Sequence, residues 1–298
     1  MFTPLPDMDL ADHCSGPPVQ VRSPRVQRLP VVLASPHSGR CYPEAFVESS
    51  RLDPHSLRRS EDSFVDHIFA DAASLGVPLI TAKFARAYLD INREAYELDP
   101  GMFADALPSY VNTRSARVAC GLGTIARVVA HGQEIYARKL RFAEAVERVN
   151  QCYRPYHTAL RRLIDETVRQ FGFCVLLDCH SMPSVGGNGS DAQLPVDFVL
   201  GDCHGQTCAP LVVEAAESLI AGLGYRTARN TPYAGGYTTR HYGRPDLAIH
   251  AMQIEINRSL YMDEQNLTPK AYLTTLADHM ARLVEDLGRQ PLLALHGA

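Results

Sequence analysis

Short apolar runs and stretches of helical period alternate along most of the chain. Val31, Val32, Leu33 and Ala34 make one apolar run, and "FCVLLDCHS" (173–181), "VDFVLGDCHG" (196–205) and "AMQIEIN" (251–257) make others of strand length. Between them, "SLRRSEDSFVDHIFADAASLG" sets Phe64, Val65, Ile68, Phe69 and Ala72 on one stripe and stops at Gly76, which predicts a helix. "VPLITAKFARAYLDIN" predicts two short strands, the second ending over residues 90–92. Residues 133–171 predict helix, split or kinked at Pro155. "APLVVEAAESLIAGLG" and "TPKAYLTTLADHMARLVEDLG" predict two more, the last with Pro269 near its start. Residues 1–29 lack periodicity and predict an irregular arm, while residues 94–131 predict a long excursion of the kind that often carries function.

Alternating strands and helices, with strands that read as continuous apolar runs, predict an α/β fold around a mostly parallel sheet covered on both faces. Neither a repeat nor a linker divides the 298 residues, so one catalytic domain over 1–298 is expected, with 1–29 as its arm. Composition agrees with a globular chain, at 46% hydrophobic and 21% charged. A net charge of -4 with dispersed basic residues gives no electrostatic case for nucleic acid or an anionic membrane. No window approaches the roughly 20 apolar residues of a membrane span. The N-terminal "MFTPLPDMDLADHCSGPP" has acidic residues and prolines where a signal peptide has basic and then apolar ones, so a cytoplasmic location is expected. The eight cysteines show no C-x-x-C or zinc-finger spacing and read as buried small side chains rather than a disulfide framework. The sequence leaves the oligomeric state open, a homo-oligomer included.

Candidate chemistry gathers where the strands end. Ligands of open α/β sheets bind beyond the carboxyl ends of the strands. Those ends carry His37, Asn92 with Arg93, and His180, and Glu255 lies within "AMQIEIN". One such histidine is more often a satisfied core or loop residue. Two strands delivering a histidine to the same edge point instead to a metal, because a catalytic zinc takes three protein ligands and keeps a position for water. His37 and His180 supply two, and "RRSEDSFVD" offers Glu61, Asp62 or Asp66 as the third, unless these acids only favour a helix N-terminus. Asp178, two residues before His180, is placed to orient an imidazole. Glu255 stands between Ile254 and Ile256, where an unpaired carboxylate is costly. It reads as a general base and then acid, with an ion pair to Arg258 as the alternative. Arg93 suits a substrate carboxylate, or pairs with Glu94, Glu97 or Asp99. "TPYAGGYTTRHYGRPD" (231–246) matches neither a P-loop nor a dinucleotide fingerprint. It reads as a loop over the substrate with Gly236, Tyr237, Arg240 and His241 in contact, or else as a surface hairpin. Ser38 and Ser181 adjoin the histidines, but neither stands in a G-x-S-x-G elbow.

Taken together, "SPHSG", "RRSEDSFVD", "DINR", "LLDCHSMP", "DFVLGDCHG", "GGYTTRHYG" and "QIEINRSLYMDE" closely resemble the N-formylglutamate amidohydrolase family, in the family's order, from about residue 31 to 264. The resemblance implies a three-layer α/β/α fold with a central mixed, mostly parallel sheet, like that of the zinc carboxypeptidases, the desuccinylases and the aspartoacylases. It implies one divalent metal, zinc, and removal of the N-formyl group from a small N-acyl amino acid such as N-formylglutamate, a late step of histidine breakdown. His37 and His180 then look like metal ligands. Arg40 occupies the place of the carboxypeptidases' acidic ligand, so the carboxylate comes from elsewhere, and Asp62 matches the family's aspartate. Asn92 and Arg93 inherit the hold on the substrate carboxylate, and Glu255 the general base and acid. The rival expectations are a deacylase of another small N-acyl amino acid, a metallocarboxypeptidase-like hydrolase, and a metal- or amino-acid-binding protein without turnover.

Overall fold

The apolar runs form seven strands: β1 (Val19–Arg22), β2 (Val31–Ser35), β3 (Leu79–Ala82), β4 (Cys174–Met182), β5 (Phe198–Gly201), β6 (Thr227–Arg229) and β7 (Ile249–Asn257). In the computed structural model, which describes residues 14–185 and 196–290, they lie in one sheet in the order β1-β3-β2-β4-β7-β5-β6. β2 runs parallel to β3 and β4, β4 to β7, and β5 to β6, whereas β5 and β7 are antiparallel. The sheet is therefore mixed and mostly parallel, as expected. β2, β4, β5 and β7 are buried at every residue, which is why they lack the alternation of a half-solvated strand.

The helices that bear on the sheet are α1 (Val65–Ile68), α2 (Arg154–Phe171), α3 (Pro210–Gly222), α4 (Tyr237–Tyr242) and α5 (Tyr272–Arg289). α1, α3 and α5 send Val65, Ile68, Val212, Ala216, Ile220, Leu276, Met280 and Leu283 into one core with Leu33, Val175, Leu177, Cys179, Met252, Ile254 and Ile256. The i, i+3, i+4 spacing on α3 and α5 is the stripe read from the sequence. Successive side chains of a strand point to opposite faces. Asp178 and His180 of β4, and Gln253 and Glu255 of β7, alternate with those core residues and so share the other face. The register pairs Asp178 with Gln253 and His180 with Glu255, making a polar block two residues deep and two strands wide.

Contacts gather into two units interleaved along the chain. One takes in the described residues up to Gln20, His37–Glu61 and Ala82–Tyr156. The other takes in Val21–Pro36, Asp62–Thr81 and the described residues from His157 on. The first is organised around buried Arg148, whose guanidinium lies over the rings of Tyr88, Phe46 and Tyr136 and donates to the Tyr88 carbonyl and the Tyr136 hydroxyl. It also holds a disulfide between Cys14 and Cys41. Those two cysteines are thus not the small buried thiols expected of them, and Cys120 is exposed; the other five are buried.

Other local expectations change as well. The stretch from 54 to 76 is not one helix, because Phe64 takes a left-handed conformation (φ 66°) that no right-handed helix can pass through. It splits into a short helix, Pro54–Arg58, a turn, and α1 followed by a 3-10 turn, Ala70–Ala73, although the predicted stripe is buried throughout. Gly76 (φ 83°) ends it. Residues 85–92 form turns, not a second strand: Tyr88 and Leu89 both donate to the Ala85 carbonyl, and Asp90 donates to that of Thr124. Helix begins at Phe142 rather than 133, and passes through a π-helical turn, Val149–Tyr153, into α2. Pro155 comes just after that π-helical turn, so the helix passes the proline by a local change of winding instead of splitting there. Of the expected arm, residues 1–13 lie outside the described residues, and Val19–Arg22 form the edge strand β1. No helix among the described residues is long and apolar enough to cross a membrane.

Candidate metal centre and active site

Within the unit that carries most of the sheet, the polar block is wired around His180. Its Nε2 lies 3.0 Å from Asp178 Oδ2 and its Nδ1 lies 3.0 Å from Asp62 Oδ2. All three residues are buried. Asp178 reaches the ring because i and i+2 of a strand share a face. Burial alone would push the imidazole toward neutrality, but the charges and hydrogen bonds of Asp178 and Asp62 outweigh it and hold the His180 pKa well above the ordinary histidine value. The other oxygen of Asp62 accepts from Arg258 Nη2 at 3.0 Å and Ser181 Oγ at 3.4 Å. Arg258 therefore pairs with Asp62. Glu255 accepts from Gln253 Nε2 at 2.7 Å, again across an i, i+2 step.

The other unit builds a matching environment around His37. Its Nε2 lies 2.8 Å from Asp90 Oδ1, which also accepts from the Asn92 backbone at 2.9 Å. Arg86 Nη2 donates to Asp90 Oδ2 at 2.8 Å, and Arg93 Nη2 lies 3.4 Å from the same oxygen. Burial disfavours an ionised Asp90, yet Arg93, His37 and Arg86 together hold its carboxyl well below the usual range. Arg93 is buried as well, which lowers it to about 10, and it donates from Nε to the Leu122 carbonyl and from Nη1 to that of Asn92. Its ion pair is with Asp90, and Glu97, one of the acids expected, adds a weaker attraction. Glu61 is engaged by Arg58 (Nε 3.0 Å) and by the Tyr42 hydroxyl (2.8 Å). Gly39 is needed because the backbone passes so close to the next segment: a Cβ there would lie 2.2 Å from the Phe84 carbonyl oxygen.

Both histidines thus present the same chemistry. A carboxylate stands beside Nε2 of each, the kind of partner that orients an imidazole so that its Nδ1 could take a metal. β2 and β4 pair with Ala34 opposite Asp178, and His37 follows β2 by two residues. His37, Asp62 and His180 are the one buried group of three such side chains, among the described residues, that could hold a metal ion. Two nitrogens and one carboxylate oxygen make a donor set suited to a borderline divalent ion.

The expected substrate loop is in part α4, which begins just after Gly236. Tyr237 stacks on His241 with its hydroxyl 3.1 Å from Nδ1, and Arg240 and His241 are exposed. Burial, then Arg161 and Arg244, lowers the His241 pKa. The sequence reading missed Asp90, Gln253 and the role of Arg258. "LDIN" puts Asp90 two residues before Asn92, but nothing in that string says it faces His37. "QIEIN" did contain the signal for Gln253, through the same i, i+2 logic that identified Asp178.

The chain has relatives among known proteins. The chain matches the family described as N-formylglutamate amidohydrolase over residues 29–262. It belongs to that family. N-formylglutamate deformylase of Pseudomonas putida is 31% identical over 270 residues, covering 90% of this chain and 93% of that protein. The Pseudomonas aeruginosa deformylase is 28% identical over 87% of this chain and 91% of its own length. Among solved structures, N-formylglutamate amidohydrolase from Ralstonia eutropha JMP134 superposes with a TM-score of 0.85 at 34% identity, covering 93% of this chain and 99% of that one. The family match spans both carboxylate-backed histidines, Asp62 and Glu255.

Proposed function

We propose that this family member hydrolyses the amide of an N-formyl amino acid, N-formylglutamate first among them, to formate and the free amino acid, with one zinc ion held by His37, Asp62 and His180. The observation that carries this reading is the pair of buried histidines, each backed at Nε2 by an aspartate. When bound, the metal supplies a Lewis acid for the formyl oxygen and lowers the pKa of water. Glu255 takes the proton of the attacking water and returns it to the amine as the C–N bond breaks. Gln253, donating to Oε1, keeps that carboxylate in one orientation. Arg93, held by two backbone carbonyls, and Asn92 bind the carboxylate of the amino acid. Gly236, Tyr237, Arg240 and His241 contact the rest of the substrate. A cytoplasmic place and a late step of histidine breakdown belong to the same reading.

Two measurements test it. The His37→Ala plus His180→Ala protein should carry no zinc by metal analysis, and undiminished zinc would remove the site. In a kinetic panel of N-formyl, N-acetyl and N-succinyl amino acids, N-formylglutamate should give the highest kcat/KM. Faster turnover of an acetyl or succinyl compound would replace the substrate while leaving the site standing.

A further inference from the structure

Asp62 has two oxygens in unlike surroundings. Oδ2 lies beside His180 Nδ1, whereas Oδ1 accepts from two donors, Arg258 Nη2 and Ser181 Oγ. Those two donors are as many as one carboxylate oxygen has lone pairs. They are also joined to each other, since Arg258 Nε lies 3.1 Å from Ser181 Oγ. The Nε–Nη2 edge of one guanidinium therefore spans Asp62 and Ser181 at once. Both partners are fixed by the sheet: Ser181 is the residue after His180 in β4, and Arg258 is the residue after the end of β7, the neighbouring strand. Arg258 is 8% exposed, so this edge is held away from water. A planar fork is the side chain that can do this; an ammonium on a flexible stem cannot bridge two acceptors in fixed geometry.

We infer that Arg258 is a positioning residue that, through Ser181, occupies one oxygen of Asp62 and restricts it to binding the metal through Oδ2 alone. The inference rests on the proposed ligand set. One-oxygen ligation keeps the coordination number low and leaves room at the metal for water and the formyl oxygen. Released from Arg258, the carboxylate is no longer held in one orientation: its grip through Oδ2 weakens, and its second oxygen is free to crowd the position the reaction needs.

The test uses the full chain loaded with zinc or cobalt(II) and reads metal, not turnover. In competition with a chelator, Arg258→Met should bind zinc about 10–100-fold more weakly than wild type, the usual loss when a partner behind a ligand is removed. In the cobalt form its visible absorption per metal should fall, as the ion passes from four toward five or six ligands. Arg258→Lys should restore the charge but recover only part of the affinity and absorption. Wild-type affinity together with a wild-type cobalt spectrum in Arg258→Met would overturn the inference. Should Arg258→Met fail to fold, Arg258→Lys and Ser181→Ala carry the test. Both are expected to shift the same two readings in the same direction, and two unshifted variants overturn it. Asp62→Ala separates the levels: if it keeps wild-type affinity, the ligand set itself is wrong and the role of Arg258 falls with it. If it loses the metal while Arg258→Met does not, the ligand set stands and the role of Arg258 alone fails.

Discussion

His37 and His180 meet the same kind of partner by different routes. Asp178 is delivered to His180 by strand geometry, two residues earlier on the same face of β4. Asp90 is delivered to His37 by an irregular turn fifty-three residues away, pinned by the Asn92 backbone and by two arginines. A regular element needs no extra support to hold an acid beside an imidazole. A turn needs a web of donors, and that web makes the acid part of the local fold as well as of the site.

The largest effect tests what the two histidines share. Glu255→Gln should keep fold and metal and lose about 10²–10⁴-fold in kcat, because a positioned acid–base residue contributes that much. Near-normal turnover would take Glu255 out of the reaction. Next comes the pair that separates the two regions. Asp90→Asn removes the counter-charge of buried Arg93 and half-buried Arg86 and should cost about 3–5 kcal/mol in urea unfolding. Asp178→Asn should leave stability nearer wild type but weaken metal binding about 10–100-fold in chelator competition. Equal stability losses in the two variants would erase the distinction.

The smallest effect is in pH. The folded pKa of Asp90 is lowered, so its contribution to stability is complete above its unfolded value near 3.9 and disappears as pH falls through the folded value. The folded pKa of His180 is raised, so in metal-free protein its contribution is complete below about 6.5 and disappears as pH rises through the folded value. Unfolding of the metal-free chain across pH should therefore show an acid-side loss that Asp90→Asn removes and an alkaline-side loss that His180→Gln removes.

How much of this could be read beforehand follows the same division. β4 and β7 were legible down to single residues, because alternation across a strand decides which side chains share a face. The stripe from Phe64 to Ala72 was legible too, since burial follows the hydrophobic pattern even where the helix breaks. The break itself was not, because phenylalanine gives no sign of a positive φ. The apolar run "AYLDI" looked like a strand, and periodicity alone cannot separate a short strand from a buried turn. Sequence spacing could not choose between Glu61 and Asp62 either. Only the fold separates them: Arg58 and Tyr42 engage Glu61, whereas Asp62 stands beside His180, more than a hundred residues away.

The bond between Cys14 and Cys41 has a practical consequence. Cys41 stands four residues after His37 and pairs with the segment around Phe84 that leads on to Asp90, so the cross-link ties the N-terminal stretch to the scaffold of one metal ligand. Closing a loop of 27 residues removes disorder from the unfolded chain worth about 3–4 kcal/mol. Protein handled with a thiol reductant should therefore melt at a lower temperature than protein handled without one, with its metal content unchanged, and the redox history of a preparation becomes a variable to fix before any two melting curves are compared.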